Sequence, residues 1–168
     1  MLRCLLLSLA CVATAASAGG LESFTDTNRL VWDKTFDASA RRFFGKLRGS
    51  YFWKNGLVAE QVMAGLGGPP DTIRKVDGTA FYLASACRAH SCIEKAAVIL
   101  SAPDQPAAFA ILHYACIVRT ANPSCPRNPS LLIFTRRTPA APEVRAALLD
   151  WARGHAGELA GTETRLLH

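Results

Sequence analysis

The hydrophobic period of the chain changes from helical to extended at Gly67-Gly68-Pro69-Pro70, and this break constrains the fold more than any other feature. Proline removes a backbone donor and fixes φ, so two prolines after two glycines interrupt both helices and strands. Before the break, apolar residues recur at helical spacing, and after it short apolar runs alternate with turn residues. The sequence therefore predicts a helical part followed by strands.

Before the break, a helix is predicted to begin at Thr35, the expected N-cap, and to end by Gly49. Its apolar residues share one face: Phe36, Ala40, Phe43 and Leu47. Residues 19–34 carry mixed signals and are expected to form a loose lead-in. The aromatic run at residues 51–53 is interpreted as core packing.

After the break, five segments have the composition of strands: 72–76, 79–86, 95–101, 107–116 and 131–135. The first two flank Asp77-Gly78, a pair typical of a tight hairpin turn. A last helix is expected after Pro139 or Pro142, with a stripe of Val144, Leu148, Trp151, His155 and Leu159. We therefore predict an α+β fold: one domain over residues 35–168, with an antiparallel sheet of about five strands and helices packed on one face.

The N-terminus indicates export. Arg3 precedes an apolar run that reaches Ala16, and Ala16-Ser17-Ala18 is a small-residue cleavage signature. We predict that residues 1–18 are a signal peptide that is removed on the way to the periplasm. A lipoprotein signal at Cys11 is the alternative, but it would need an aliphatic residue in place of Ser8. No later segment is long and apolar enough to suggest a membrane span.

The charge balance is basic. The chain has 19 basic and 13 acidic residues, and loss of Arg3 with the signal peptide leaves a net charge of +5. The basic residues are spread along the whole chain, so we do not expect a nucleic-acid partner. The charge is typical of a solvated surface, or of attraction to the anionic envelope or to an acidic partner.

Six cysteines become four after the predicted cleavage. An even number in an oxidising compartment indicates two disulfides, for which the sequence allows three connectivities. We favour the local pairing, Cys87 with Cys92 and Cys116 with Cys125. Each such bridge would close a short loop and shape it, with a stabilisation of only about 2–3 kcal/mol.

The segment Cys87-Arg88-Ala89-His90-Ser91-Cys92 lies between two predicted strands. A bridge across its base would make it a rigid, protruding loop that presents Arg88 and His90. A thioredoxin-like redox site would need two residues between the cysteines, and here there are four. Two other interpretations stay open: a zinc site that uses His90 with both cysteines, and a bridged hairpin with an incidental histidine.

We predict neither a catalytic site nor a bound metal or cofactor. The sequence has no nucleophile-elbow or phosphate-loop motif. Its acidic residues Asp77, Glu94 and Asp104 show no spacing that would indicate a catalytic pair. His113 and His155 are interpreted as structural, the latter near the C-terminus of its helix.

The segment at residues 81–92 resembles the signature of the Ivy family, inhibitors of vertebrate lysozyme. That signature is a strand ending in Ser-Ala-Cys, a loop written Cys-Lys-Pro-His-Asp-Cys, and a second strand. Five positions match: Ser85, Ala86, Cys87, His90 and Cys92. Arg88, Ala89 and Ser91 stand where the family has Lys, Pro and Asp. The likeness covers residues 35–160 in layout and is specific across residues 81–100.

The resemblance implies a periplasmic inhibitor whose loop, Arg88 to Ser91, enters the cleft of a peptidoglycan-cleaving enzyme. The family histidine hydrogen-bonds the catalytic carboxyl groups of lysozyme, and lytic transglycosylases of the host cell are further targets that the family implies. The alternative on the same fold is an envelope protein-binding module that does not inhibit. The sequence leaves open whether the chain is a monomer or a homodimer.

Overall fold

The computed structural model describes residues 20–114, 127–138 and 140–168. The predicted signal peptide (residues 1–18), Cys116 and Cys125 lie outside the described residues. The described helices are α1 (Thr27–Val31), α2 (Lys34–Phe44), α3 (Val58–Leu66) and α4 (Pro142–Ala156), preceded by a 3-10 turn at Leu21–Ser23. The described strands are β1 (Arg48–Gly49), β2 (Gly56–Leu57), β3 (Arg74–Lys75), β4 (Tyr82–Arg88), β5 (Ser91–Leu100), β6 (Pro106–His113), β7 (Ser130–Arg136) and β8 (Gly161–Leu167).

The strands form one large sheet in chain order, β3-β4-β5-β6-β7-β8, while β1 and β2 form a separate pair. The predicted α+β class is confirmed, with six strands in the main sheet where about five were expected. Neighbours are antiparallel up to β7, but β8 runs parallel to β7. A parallel neighbour needs a crossover connection, and α4 supplies it. The sheet is therefore mixed and not wholly antiparallel.

Helices cover both faces of the sheet, so the prediction of helices on one face is wrong. On β5, Ala96, Val98 and Leu100 belong to the core shared with α1, α2 and α3. Ala97 and Ile99 belong to the core shared with α4. Successive side chains of a strand point to opposite faces, and both faces here are apolar. A sheet covered on both faces needs continuous apolar runs, which residues 96–100 provide.

The segment expected to be a loose lead-in is helical and packed. Leu21 and Leu30 are buried in the core, and the backbone N–H of Thr27 donates to the carbonyl of Asp71 over 3.4 Å. The side chain of Asp26 caps α1 by accepting from the N–H of Arg29. Residues 20–34 are thus part of the domain that was expected to begin at residue 35.

The cap and the end of α2 differ from the prediction. The N-cap is Asp33, whose Oδ1 accepts from the N–H groups of Thr35 and Phe36 over 2.8 and 3.0 Å. A carboxylate at this position pairs two otherwise unsatisfied donors and complements the positive end of the helix. The helix ends before Gly45, whose φ of +56° suits glycine, and not at Gly49.

The outer edge of β4 is covered by the chain that follows the Gly-Pro break. β3 pairs with the start of β4, and Gly78 (φ +71°) lies in the turn that joins them, which confirms the predicted hairpin. Further along, the N–H of Asp71 donates to the carbonyl of Ser85 over 2.9 Å. These backbone hydrogen bonds cover the free edge of β4. They hold the strand in position along most of its length.

Candidate functional site

The β4–β5 hairpin closes with a two-residue turn, Ala89-His90, because Arg88 pairs directly with Ser91. Both turn residues are exposed, and they are the outermost point of this end of the hairpin. The backbone of His90 is left-handed, with φ +62°. Non-glycine residues adopt this region uncommonly, and it costs of order 1 kcal/mol or more. The turn therefore carries a conformational cost, and it exposes the imidazole of His90 to solvent.

The predicted Cys87–Cys92 disulfide is present and lies across the base of this turn, with the two Cα atoms 4.6 Å apart. Cys87 is buried and Cys92 is exposed. The bridge joins β4 and β5 at the place where their ladder changes register: Arg88 pairs with Ser91, but Cys87 pairs with Lys95. Residues 92–94 therefore form a bulge on β5, which re-aims side chains next to the turn.

The bulge presents Ile93 outward, and this side chain is 50% exposed. Binding surfaces commonly combine apolar and polar side chains, and exposed Ile93 lies close in sequence to exposed His90. Sequence reasoning missed Ile93, because a single apolar residue at the start of a strand gives no signal. The register break that turns it outward becomes visible only in the folded hairpin.

The structure turns Arg88 back toward the domain, although the sequence prediction placed it at the tip with His90. Its Nη1 donates to Oε2 of Glu94 over 2.5 Å, and its guanidinium lies 5.6 Å from the ring centroid of Trp53. The ring of Phe52 is on the same side, at 5.8 Å. A charged pair that is also stacked on aromatic rings holds a side chain in place. Arg88 therefore braces the hairpin, and of the two side chains predicted at the tip only that of His90 lies there.

The Gly-Pro break supports the base of the same hairpin. The N–H of Gly68 donates to the carbonyl of Cys87 over 2.9 Å, and the N–H of Cys87 donates to the carbonyl of Pro69 over 3.2 Å. A Cβ on Gly68 would lie 2.2 Å from the oxygen of Cys87. Glycine is therefore required for this close approach. The Gly-Pro break is visible in the sequence, but its hydrogen bonds to Cys87 are visible only in the folded structure.

The aromatic segment behind Arg88 is fixed by one buried amide, that of Gln61 on α3. Its Oε1 accepts from the N–H groups of Tyr51 and Phe52 over 3.0 and 2.8 Å. Its Nε2 donates to the carbonyls of Gly49 and Gly56 over 2.9 and 3.2 Å. Tyr51 and Phe52 are buried, so the interpretation of this run as core packing is confirmed. Gln61 thus provides an acceptor for the N–H groups of Tyr51 and Phe52 and ties them to the β1–β2 pair through the carbonyls of Gly49 and Gly56.

A second polar cluster lies on the α4 side of the sheet, where Asp71 contacts two partners. Ser85 donates to its Oδ2 over 2.5 Å, and Nε2 of His155 lies 3.5 Å from the same oxygen. Burial and then Lys95 lower the pKa of His155, and Asp71 opposes them. A serine nucleophile needs a histidine within hydrogen-bond reach. Here the carboxylate stands between the serine and the histidine, so the cluster lacks that arrangement.

The described residues hold neither a candidate metal cluster nor a helix that could cross a membrane. Within residues 20–114, 127–138 and 140–168, no three His, Cys, Asp or Glu side chains are placed to hold a metal ion. In that part of the chain no helix combines the length and apolar character that a bilayer crossing requires. Since Cys87 and Cys92 are joined as a disulfide, they are not thiolate ligands, and the zinc interpretation loses two of its three named residues.

No family model matches the chain, and comparisons with curated proteins and with solved structures also find no match. The likeness to the Ivy family therefore rests on the residues of the β4–β5 hairpin and on the layout around it. Four predicted site residues lie together at its end: Arg88, Ala89, His90 and Ser91.

The stability of the domain should fall in mild acid because of His113. Burial lowers the pKa of His113 from its ordinary value, and its Nδ1 is buried with no hydrogen-bond partner among the described residues. Below about pH 6.5 the unfolded chain binds a proton that the folded chain resists, so stability rises with pH through this window. We expect the free energy of unfolding to fall between about pH 7.5 and 5.5.

The control is His113→Leu, measured by urea unfolding at each pH. Its dependence on pH should be shallower than that of the parent chain, and the remaining slope should come in part from His155. Equal slopes in the parent and the variant would contradict the assignment to His113.

Proposed function

We propose that this protein is a periplasmic, Ivy-type inhibitor of a peptidoglycan-cleaving enzyme, either a lysozyme or a lytic transglycosylase. The observation that carries the proposal is the disulfide-closed turn with His90 exposed at its outermost point. The resemblance supplies the target class, and the geometry supplies a protruding imidazole on a rigid base. Residues 1–18 would be removed on export, which leaves the described domain to act in the envelope.

The chemistry of the target cleft suits an imidazole. Glycosidases of the lysozyme type hold one protonated and one ionised carboxyl group close together. A neutral imidazole offers one donor and one acceptor, so it can bond both groups at once, and a charged imidazole offers two donors. An inserted His90 would also exclude the sugar and the attacking water from the cleft.

The bracing of the turn favours inhibition over loose contact. The disulfide, the Arg88–Glu94 pair and the Gly68–Cys87 hydrogen bond all hold the base of the turn from different sides. A loop that is already held in its bound shape loses little entropy on binding. Ile93, beside the turn, would add an apolar contact at the rim of the cleft.

The net charge bears on the choice of target. The exported chain carries a net charge of +5, so long-range attraction favours an enzyme with an acidic rim over a strongly basic lysozyme. On this ground a lytic transglycosylase, or a lysozyme of low positive charge, is the better candidate.

The proposal is tested by the hydrolysis of cell walls, titrated with the oxidised chain that lacks residues 1–18. A c-type lysozyme and a lytic transglycosylase are assayed in parallel. We expect stoichiometric inhibition of at least one of them, with a 1:1 complex by size-exclusion chromatography. A folded, disulfide-bonded chain that inhibits neither enzyme at micromolar concentration would overturn the proposal.

The second candidate is a binding module on the same fold that does not inhibit. Two observations favour it: Ala89 and Ser91 replace the Pro and Asp of the family loop, and Arg88 is turned away from the tip. This candidate predicts a stable complex with an envelope protein whose activity is unchanged. An unimpaired lytic enzyme within a complex, or a captured partner that does not cleave peptidoglycan, would favour it.

Removing the Cys87–Cys92 bridge should weaken inhibition while the domain stays folded. We expect Cys87→Ala combined with Cys92→Ala to lower the free energy of unfolding by about 2 kcal/mol, since the closed loop is short. Inhibition should weaken at least tenfold, because the turn would lose one of its three supports. The double variant is preferred to a reducing agent, which would also reach other cysteines. Undiminished inhibition would show that the bridge does not preorganise the turn.

A further inference from the structure

A cavity of about 580 Å³ lies at the end of the sheet opposite to the His90 turn. It is bounded by α2, by the turn between β5 and β6, by the end of β7 and by the start of α4. β5 runs the length of the sheet between the two sites, and ten residues at about 3.3 Å each separate them by about 30 Å. This cavity therefore belongs to neither the proposed inhibitory turn nor its supports.

Three arginines line the cavity: Arg42, Arg136 and Arg137. Among the described residues, none of the three makes an ion pair with a carboxylate. Asp104, which also lines the cavity, leaves an excess of two positive charges there. Like charges gathered at one concave site repel one another, and an anion bound between them would relieve the repulsion.

Two of these arginines are held by the backbone. Nη1 of Arg136 donates to the carbonyl of Arg42 over 3.2 Å, which fixes its guanidinium at the end of α2. Arg137 has a left-handed backbone, with φ +67°, and its N–H donates to the carbonyl of Leu167. A non-glycine residue held in this region is strained, and such strain collects at binding sites. The backbone positions of Arg136, the last residue of β7, and of Arg137, which follows it, are therefore fixed.

The remaining walls are apolar, and they include Phe43, Phe81 and Val144. α4 also begins here, and its N-cap residue, Ala141, makes no side-chain capping hydrogen bond. The N-cap side chain therefore offers no acceptor to the first N–H groups of α4, and these groups add to the positive potential that the arginines create. A cavity of this volume with apolar walls and a few charged groups suits a small organic molecule.

We propose that this cavity binds a small phosphate monoester. The phosphate would lie among the three arginines, whose forked donors match its oxygens, and the organic part would lie against the phenylalanine rings. A phosphate monoester carries close to two negative charges at pH 7, which equals the excess of positive charge at the site. The inference does not rest on the proposed inhibitory function.

The test uses isothermal titration of the oxidised chain with phenyl phosphate, inorganic phosphate, benzoate and phenol. We expect phenyl phosphate to bind at least tenfold more tightly than each of the other three. Arg42→Gln, Arg136→Gln and Arg137→Asn should each weaken its binding about tenfold or more, and asparagine tolerates the left-handed backbone at position 137. The unfolding midpoint of each variant verifies that it is folded.

The matched control is Arg153→Gln, an exposed arginine in the last turn of α4, away from the cavity. It removes the same charge and should leave binding unchanged. The proposal is overturned by an equal effect of Arg153→Gln, by equal binding of benzoate, or by no binding of phenyl phosphate at millimolar concentration.

Discussion

Replacing His90 by glycine is expected to weaken inhibition strongly while leaving the domain as stable as the parent or more so. His90 has φ +62°, and glycine adopts this conformation without the steric cost that other residues meet. We expect the free energy of unfolding to be unchanged or raised by up to about 1 kcal/mol. The affinity for the target enzyme should fall at least about 30-fold, which corresponds to a contact at the centre of an interface.

This substitution separates function from folding, which His90→Ala would not do cleanly because alanine is itself strained at positive φ. The matched control is Ala89→Gly, which adds glycine to the same exposed turn and keeps the imidazole. It should cost less than threefold in affinity. His90→Gly that inhibits as well as the parent would refute the role of the imidazole. A marked loss of stability in that variant would contradict the assignment of strain to the turn.

Replacing Gln61 by leucine is expected to be the most damaging single change to the fold. The side chain is fully buried and bonds four backbone groups of residues 49–56 with good geometry. Leucine has a similar volume, so the loss comes from the stranded donors and acceptors and not from a cavity. Each unsatisfied buried group costs about 1–3 kcal/mol, so we expect a loss of at least about 3 kcal/mol.

Urea unfolding at neutral pH measures this loss through the transition midpoint at constant slope. Glu60→Leu is the matched control, because Glu60 is the exposed neighbour on α3 and its replacement should change stability by less than about 0.5 kcal/mol. A cost below about 1 kcal/mol for Gln61→Leu would mean that water replaces the amide at those backbone groups.

The sequence predicted the elements whose residues carry a clear local period. The hairpin around Asp77-Gly78, the strands on either side of Cys87 and Cys92, and the stripe of α4 were all visible, with errors of a few residues at their ends. β8 was not visible, because Gly161-Thr162-Glu163-Thr164-Arg165 has neither alternation nor an apolar run. It is held as a strand by its pairing with β7, which is a tertiary effect.

The disulfide-closed turn of the candidate site could be predicted from the sequence, but the direction of its arginine could not. The cysteine spacing predicted the bridge and the exposed His90, since both depend on neighbours in the chain. The direction of Arg88 depends on Glu94, which only the bulge brings to the same side, and on aromatic rings more than thirty residues earlier. One available signal was overlooked: the unbroken apolar run at 96–100 is typical of a strand covered on both faces, and thus of helices on both sides.

The exposed tip of the β4–β5 turn has a consequence for the variability of the protein. Ala89 and His90 lie outside both hydrophobic cores, and their supports contact the residues on either side of them. Amino-acid substitutions at these two positions should therefore have little effect on folding, provided that the residue at position 90 tolerates a left-handed backbone. On the proposed function, the domain would change its target by altering two amino acids, and the turn would be a suitable position for a library of grafted sequences.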